Sequence, residues 1–177
     1  MKYTVFLLFA GVAFILYPLT TQAQQKLYEV STDKENGAKV LKGIVTRADI
    51  EKDTSFSWFK QNYALGSANA AAIESCTKQA GKFTAVVFFG TWCEDSHNLL
   101  PVFCRLMDKA GIPEKDCMLV GTDREKTTLQ NLHITYSVTN VPTFIILHNG
   151  KEIGRIVEYG KYGVIDKEIG EIVAAIP

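Results

Sequence analysis

The sequence has no surplus of charge of either sign. Nineteen Lys and Arg side chains balance nineteen Asp and Glu in 177 residues. A neutral chain has no field to gather polyanions, and no basic stripe with interleaved aromatics compensates for this, so nucleic acid is excluded as a partner class. Internal repeats and low-complexity linkers are absent, which argues for one domain large enough to bury its own core. Long apolar runs are missing except at the start, where Val5 to Leu16 is nearly unbroken. That run falls short of the ~20 residues that span a bilayer, so a stable membrane anchor is not expected. With Lys2 ahead of it, Pro18 behind it and Thr21-Gln22-Ala23 following, the segment reads as a secretory signal peptide cleaved after Ala23. No cysteine follows the run to take a lipid, and the expected location is periplasmic or secreted.

The chain divides into a signal peptide (1–23), an N-terminal extension (24–53) and a main domain (54–177). The extension is mixed and polar, with Lys39 to Val45 as its only strand-like stretch. Thr54 to Lys78 has helical spacing and composition, interrupted at Gly66-Ser67. Thr84 to Phe89 is a short, continuous apolar run suited to a strand covered on both faces. Glu94 onward is helical, with Leu99, Leu100, Phe103, Leu106 and Met107 on one face and Pro101 expected to kink it without ending it. Met118 to Gly121 predicts a second buried strand, and Lys126 to Leu132 begins a further helix. Phe144 to Leu147 and Glu152 to Glu158 are strands joined by a hairpin at Asn149-Gly150, and Asp166 to Ile176 closes the chain as a helix. This order predicts an α/β fold with a central mixed sheet flanked by helices.

Trp92-Cys93 at the mouth of a helix, Pro101 eight residues on, Val141-Pro142-Thr143 ahead of a hairpin, and Gly150 and Gly160 beyond it together resemble the thioredoxin-like superfamily. The resemblance covers roughly residues 81–176 and implies that fold. It further implies a nucleophile at Cys93, a cis-proline at Pro142 facing it, and a substrate platform made of Trp92, Val141 and Pro142. Two parts of the usual apparatus are missing. The resolving cysteine of C-x-x-C is Ser96, and the buried aspartate six positions ahead of the nucleophile is Val87. The Trp-Cys-x-Asp-Ser pattern resembles a variant found in exported bacterial members of the superfamily.

The residues themselves support this chemistry. A helix N-terminus favours a thiolate at Cys93, while Glu94 and Asp95 oppose it. Ser96 returns to the same face and is expected to donate a hydrogen bond to the sulfur. Without a vicinal thiol, attack by Cys93 stops at a mixed disulfide, released by another thiol. Cys104 lies about 16 Å further along the helix and cannot serve, whereas spacing leaves Cys76 and Cys117 open. Asp123 and Arg124 should emerge at the same sheet edge as Cys93, with Arg124 either steadying a thiolate or binding an acidic client. Cys93 and His97 stand at a metal-ligand spacing, but His133 and His148 have no evident place beside them, and no metal site is expected.

The expected activity is therefore monothiol thiol-disulfide exchange with a protein or low-molecular-weight thiol or disulfide, without a dissociable cofactor. The alternatives are a redox-inactive binding or assembly module and, behind it, a metal-binding chaperone.

Overall fold

The computed structural model describes residues 27–177. The expected signal segment and its cleavage point lie outside the described residues. Six strands and six α-helices follow in the order β1 (Tyr28–Thr32), β2 (Lys39–Val45), α1 (Arg47–Glu51), α2 (Ser57–Ala64), α3 (Ala70–Lys78), β3 (Phe83–Phe89), α4 (Glu94–Lys109), β4 (Cys117–Gly121), α5 (Leu132–Thr135), β5 (Thr143–His148), β6 (Lys151–Val157) and α6 (Ile165–Ala174). The strands form one mixed sheet in the order β1-β2-β4-β3-β5-β6. Only β3 and β4 run parallel, and every other neighbouring pair is antiparallel.

The continuous apolar run of β3 follows from burial on both faces. Ala85, Val87 and Phe89 join a large core with Phe59, Leu100, Phe103, Phe144, Ile146 and Ile169, beneath helices of one face. The intervening Val86 and Phe88 point the other way, into a smaller core with Val120, Val138, Val141 and Ile145. Helix α4 continues through Pro101 to Lys109. On its buried side Arg105 donates Nη1 to the carbonyls of Tyr63, at 2.7 Å, and Leu65. A cation thus closes the C-terminal end of α2, where it favours the helix dipole. Helix α6 lies so close to α3 that a Cβ on Gly170 would come within 2.6 Å of Ala72 Cα.

Two stretches depart from the sequence reading. The N-terminal extension holds two strands where one was expected, and β1 pairs along its whole length with β2, from Tyr28 opposite Gly43 to Thr32 opposite Lys39. Strand β1 is exposed apart from Tyr28, so no alternation of apolar residues announces it. The helix expected from Lys126 is a loop as far as Thr128, and regular α-helix is confined to Leu132–Thr135. Asp123 explains the delay. Its carboxylate accepts the Thr127 N–H at 2.7 Å and the Thr127 hydroxyl, giving the backbone a turn in place of a helix.

Candidate active site

Strand β3 ends at a turn fixed from several sides. The Gly90 N–H donates to Ser96 Oγ at 3.1 Å, and the Cys93 N–H returns to the Gly90 carbonyl at 3.1 Å. A Cβ at Gly90 would lie 2.7 Å from the Trp92 ring, so the turn admits only glycine without rearrangement. Thr91 ties the turn to β2, donating its hydroxyl to the Lys39 carbonyl (2.8 Å) and accepting the Leu41 N–H (3.2 Å). Trp92 Nε1 donates to the Thr122 carbonyl just beyond β4 at 2.9 Å.

Cys93 is the N-cap residue of α4 and keeps an extended backbone, with φ −102° and ψ 121°. Its Sγ lies 3.6 Å from the Val141 carbonyl oxygen, to which the thiol donates. The Val141–Pro142 peptide is cis. The Pro142 carbonyl in turn accepts the Glu158 N–H at 2.7 Å, which holds the loop against the end of β6. The structure therefore brings Trp92, Cys93, Val141 and Pro142 together. Ser96 has a different place from the one expected. It is fully buried, and its oxygen serves the Gly90 N–H, so it organises the turn beneath the sulfur, and the bond made by the sulfur goes to Val141. Val87 is completely buried in the core, with no carboxylate in its place.

The other thiols are remote or shielded. Cys76 is fully buried, and burial pushes its thiol up to about 11. Burial raises Cys104 further, and Cys117 is pushed up to about 12, again chiefly by burial. Cys117 pairs with Ala85 at the opposite end of β3 from the Gly90 turn. Cys104 and Cys117 line a separate apolar cavity of about 390 Å³ between β2, α4 and β4. All four cysteines are free thiols, and Cys93 forms no disulfide with Cys76, Cys104 or Cys117 in this structure.

His97 is engaged in packing. Its ring stacks on Trp58 with centroids 4.2 Å apart, and Nε2 lies 2.8 Å from the Thr91 carbonyl. Burial lowers its pKa, favouring the neutral ring. Among the described residues no group of three or more His, Cys, Asp or Glu side chains is placed to hold a metal ion.

Arg124 emerges beside Cys93, as parallel β3 and β4 require, but its partner comes from the extension. Asp33, in the turn between β1 and β2, accepts Nε and Nη2 of Arg124 at 2.8 Å each, and its side chain is only 4% exposed. The backbone N–H groups of Glu35 and Asn36 also donate to Asp33, both at 3.0 Å. The guanidinium lies 4.8 Å over the Trp92 ring, and Asn36 Nδ2 donates to the Trp92 carbonyl at 3.4 Å. Asp33 and Asn36 escaped the sequence reading because 91 residues separate Asp33 from Arg124, and a polar turn carries no local sign of such a contact.

A mixed sheet with this strand order, a cysteine capping the helix after its central strand, and a cis-proline facing the sulfur define a protein of the thioredoxin type. The thioredoxin family model matches residues 66–171, and the chain belongs to that family. It is 30% identical over 93 residues to a thioredoxin of Echinococcus granulosus, a match covering 52% of this chain and 80% of that protein. To thioredoxin H9 of Arabidopsis thaliana it is 27% identical over 97 residues, 55% of this chain and 64% of the relative, so it spans less than two thirds of that protein. Among solved structures, the reduced form of thioredoxin 2 from Pseudomonas aeruginosa PAO1 is 22% identical, covering 60% of this chain and 93% of the other with a TM-score of 0.38. Asp33 and Asn36 lie outside the family match.

The guanidinium of Arg124 holds the Asp33 carboxyl well below the usual carboxylate range, helped by the two backbone N–H donors. A depressed acid stabilises the fold above its ordinary pKa and loses that contribution as pH falls toward its folded value. Asp33→Asn should therefore lower the melting temperature at neutral pH. The gap to wild type should narrow as pH drops below about 4, where the unfolded carboxyl protonates. Thermal unfolding across a pH series checks this, and a gap independent of pH would assign the loss to packing alone.

Proposed function

We propose that the protein is an exported thiol-disulfide exchange protein that works through Cys93 alone. The observation that carries this reading is the setting of the Cys93 sulfur, half-exposed at a helix N-terminus and facing the Val141 carbonyl, while the other three thiols are remote from it and raised by burial. The Cys93 thiolate attacks one sulfur of a client disulfide. The Cys93–client S–S bond forms as the client's own S–S bond breaks, and the second client sulfur leaves as a thiolate that takes a proton from water. A second thiol, from solution or from the client, then attacks the mixed disulfide and returns Cys93 as a thiolate. Trp92 walls the approach, and the backbone around Val141 and Pro142 offers an edge for an extended client segment. Ser96 holds the turn, and a protein or small-molecule thiol supplies the resolving step. No dissociable cofactor enters the scheme.

Export rests on Lys2, the apolar run and Thr21-Gln22-Ala23, and an oxidising compartment suits such clients. The protein recovered from outside the cytoplasm should begin at Gln24 by intact-mass measurement. Retention of residues 1–23 on a membrane-bound protein would refute the cleavage.

Exchange requires that Cys93 alkylate well ahead of Cys76, Cys104 and Cys117, since it alone joins exposure to a helix N-terminus. Timed labelling of the native protein with peptide mapping reads this directly. Modification of Cys93 no faster than the others would favour a binding module that keeps the fold and turns nothing over.

Ser96→Cys should add the missing thiol and let the site cycle by itself, measured as reduction of insulin disulfides by wild type and variant with the same small dithiol. The new thiol is a poorer acceptor for the Gly90 N–H, at a cost of about 1 kcal/mol. The gain should be slow, because Val87 supplies no buried carboxylate. A wild type already as fast as the variant would contradict the monothiol scheme.

A further inference from the structure

The groove at Cys93 is lined by Asn36, Trp92, Glu94, Asp95 and Arg124, so part of its wall comes from the hairpin outside the family match. Its charges are segregated. Arg124 and Lys126 both lie over the Trp92 ring, at 4.8 and 5.6 Å from its centroid. Arg124 is already committed, with Nε and Nη2 on Asp33 and Nη1 on Glu35 at 2.9 Å. Glu94 and Asp95, in the first turn of α4 next to the nucleophile, form no hydrogen bond or ion pair among the described residues. On the far side, the Glu158 carboxylate behind Pro142 accepts from the Asn140 amide at 2.9 Å and forms no ion pair among the described residues. Asp33 and Glu35 thus take up Arg124, Lys126 lies over the Trp92 ring without an ion pair among the described residues, and Glu94 and Asp95, also without a cation, line the groove beside Cys93.

We propose that the groove selects disulfides carried by basic segments, with a Lys or Arg of the client beside its reacting cysteine engaging Glu94 and Asp95. The proposal rests on the exchange reading above and names its client class. An acidic client would find Arg124 occupied by two carboxylates, leaving it only Lys126 over the Trp92 ring, and would meet the uncompensated pair on α4 next to the sulfur. A cationic client gains from that pair and loses no existing contact. Such attraction between partly solvated charges acts mainly on the encounter rate and is weakened by salt.

The test uses three peptide disulfides, identical except for Lys, Gln or Glu next to the cysteine. The rate of mixed-disulfide formation at Cys93 is divided by the rate of 2-mercaptoethanol with the same probe, which removes the effect of the substituent on the leaving thiol. The expected order is Lys over Gln over Glu, with about three- to tenfold between the extremes at low ionic strength. High salt should compress the series, and a Glu94→Gln, Asp95→Asn double variant should flatten it. The salt dependence is read on the wild type, so the result stands even where the variant folds poorly. Equal normalised rates, or a preference for the Glu probe, would overturn the proposal while leaving exchange at Cys93 intact. No reaction with any probe, from a folded protein whose Cys93 alkylates, would overturn the exchange reading and the selectivity with it.

Discussion

The site depends on how β3 is made to stop. Residues 90–93 leave the most deeply buried strand of the sheet and are tied within four residues to β2 through Thr91, to the end of β4 through Trp92, and to α4 through the Gly90 and Ser96 bond. A buried polar turn is stable only where its donors and acceptors are satisfied, and here Gly90, Thr91 and Trp92 each bond to a different part of the fold. Because β3 and β4 run parallel, both release their chains at the same sheet edge, which sets Thr122 and Arg124 beside Trp92. The antiparallel β5 begins at that same edge, so the loop ahead of it delivers the Val141 carbonyl to the sulfur. One thiol is thus presented by three strand ends, and its position follows from sheet topology.

Much of this was legible in the sequence wherever side-chain character repeats with the geometry of an element. Strands β3 and β5 are continuous apolar runs because they are buried on both faces, α4 shows its apolar face through Phe103, and Asn149-Gly150 announces its turn. What escaped lacks any such pattern. Strand β1 is held by backbone bonds at an exposed edge, where polar residues serve as well as apolar ones. The loop over 126–128 has helical composition, but the Asp123 side chain captures Thr127, and a short-range competition of that kind overrides propensity. For Ser96 the spacing points to the right face of the right helix and to the wrong partner. Spacing alone placed its oxygen near position 93, and it could not reveal that the Gly90 N–H would otherwise be buried without an acceptor.

Burial accounts for the division of labour among the four thiols. Cys76 and Cys104 occupy positions where a small apolar residue would serve equally well, and desolvation suppresses their ionised forms. Cys93 differs by standing at a helix N-terminus at the rim of the sheet. In the proposed exchange scheme, a client held at Cys93 stays as a mixed disulfide until a second molecule resolves it, because no internal thiol competes. Under that scheme the lifetime of the complex would be set by the client and the external thiol, and recognition in the groove would carry more weight than where a neighbouring cysteine ejects the client.

The hairpin outside the family match shapes the surroundings of the thiol. Asp33 is nearly buried, and without Arg124 its carboxylate would lose the cation that balances it, so the Asp33 side of the pair depends strongly on the contact. Through that pair the turn between β1 and β2 is fixed against Trp92, and Asn36 reaches the Trp92 carbonyl from the same turn. The consequence extends to both ends of the contact. The hairpin gains a long-range anchor that its exposed strand does not supply, and the residue preceding the nucleophile gains a rigid wall. Arg124 is at the same time withdrawn from clients, since its guanidinium is already shared between Asp33 and Glu35. The cation that emerges beside Cys93 is thereby neutralised by the hairpin, and the charges left without an ion pair are Glu94 and Asp95 next to the thiol and Lys126 over the Trp92 ring.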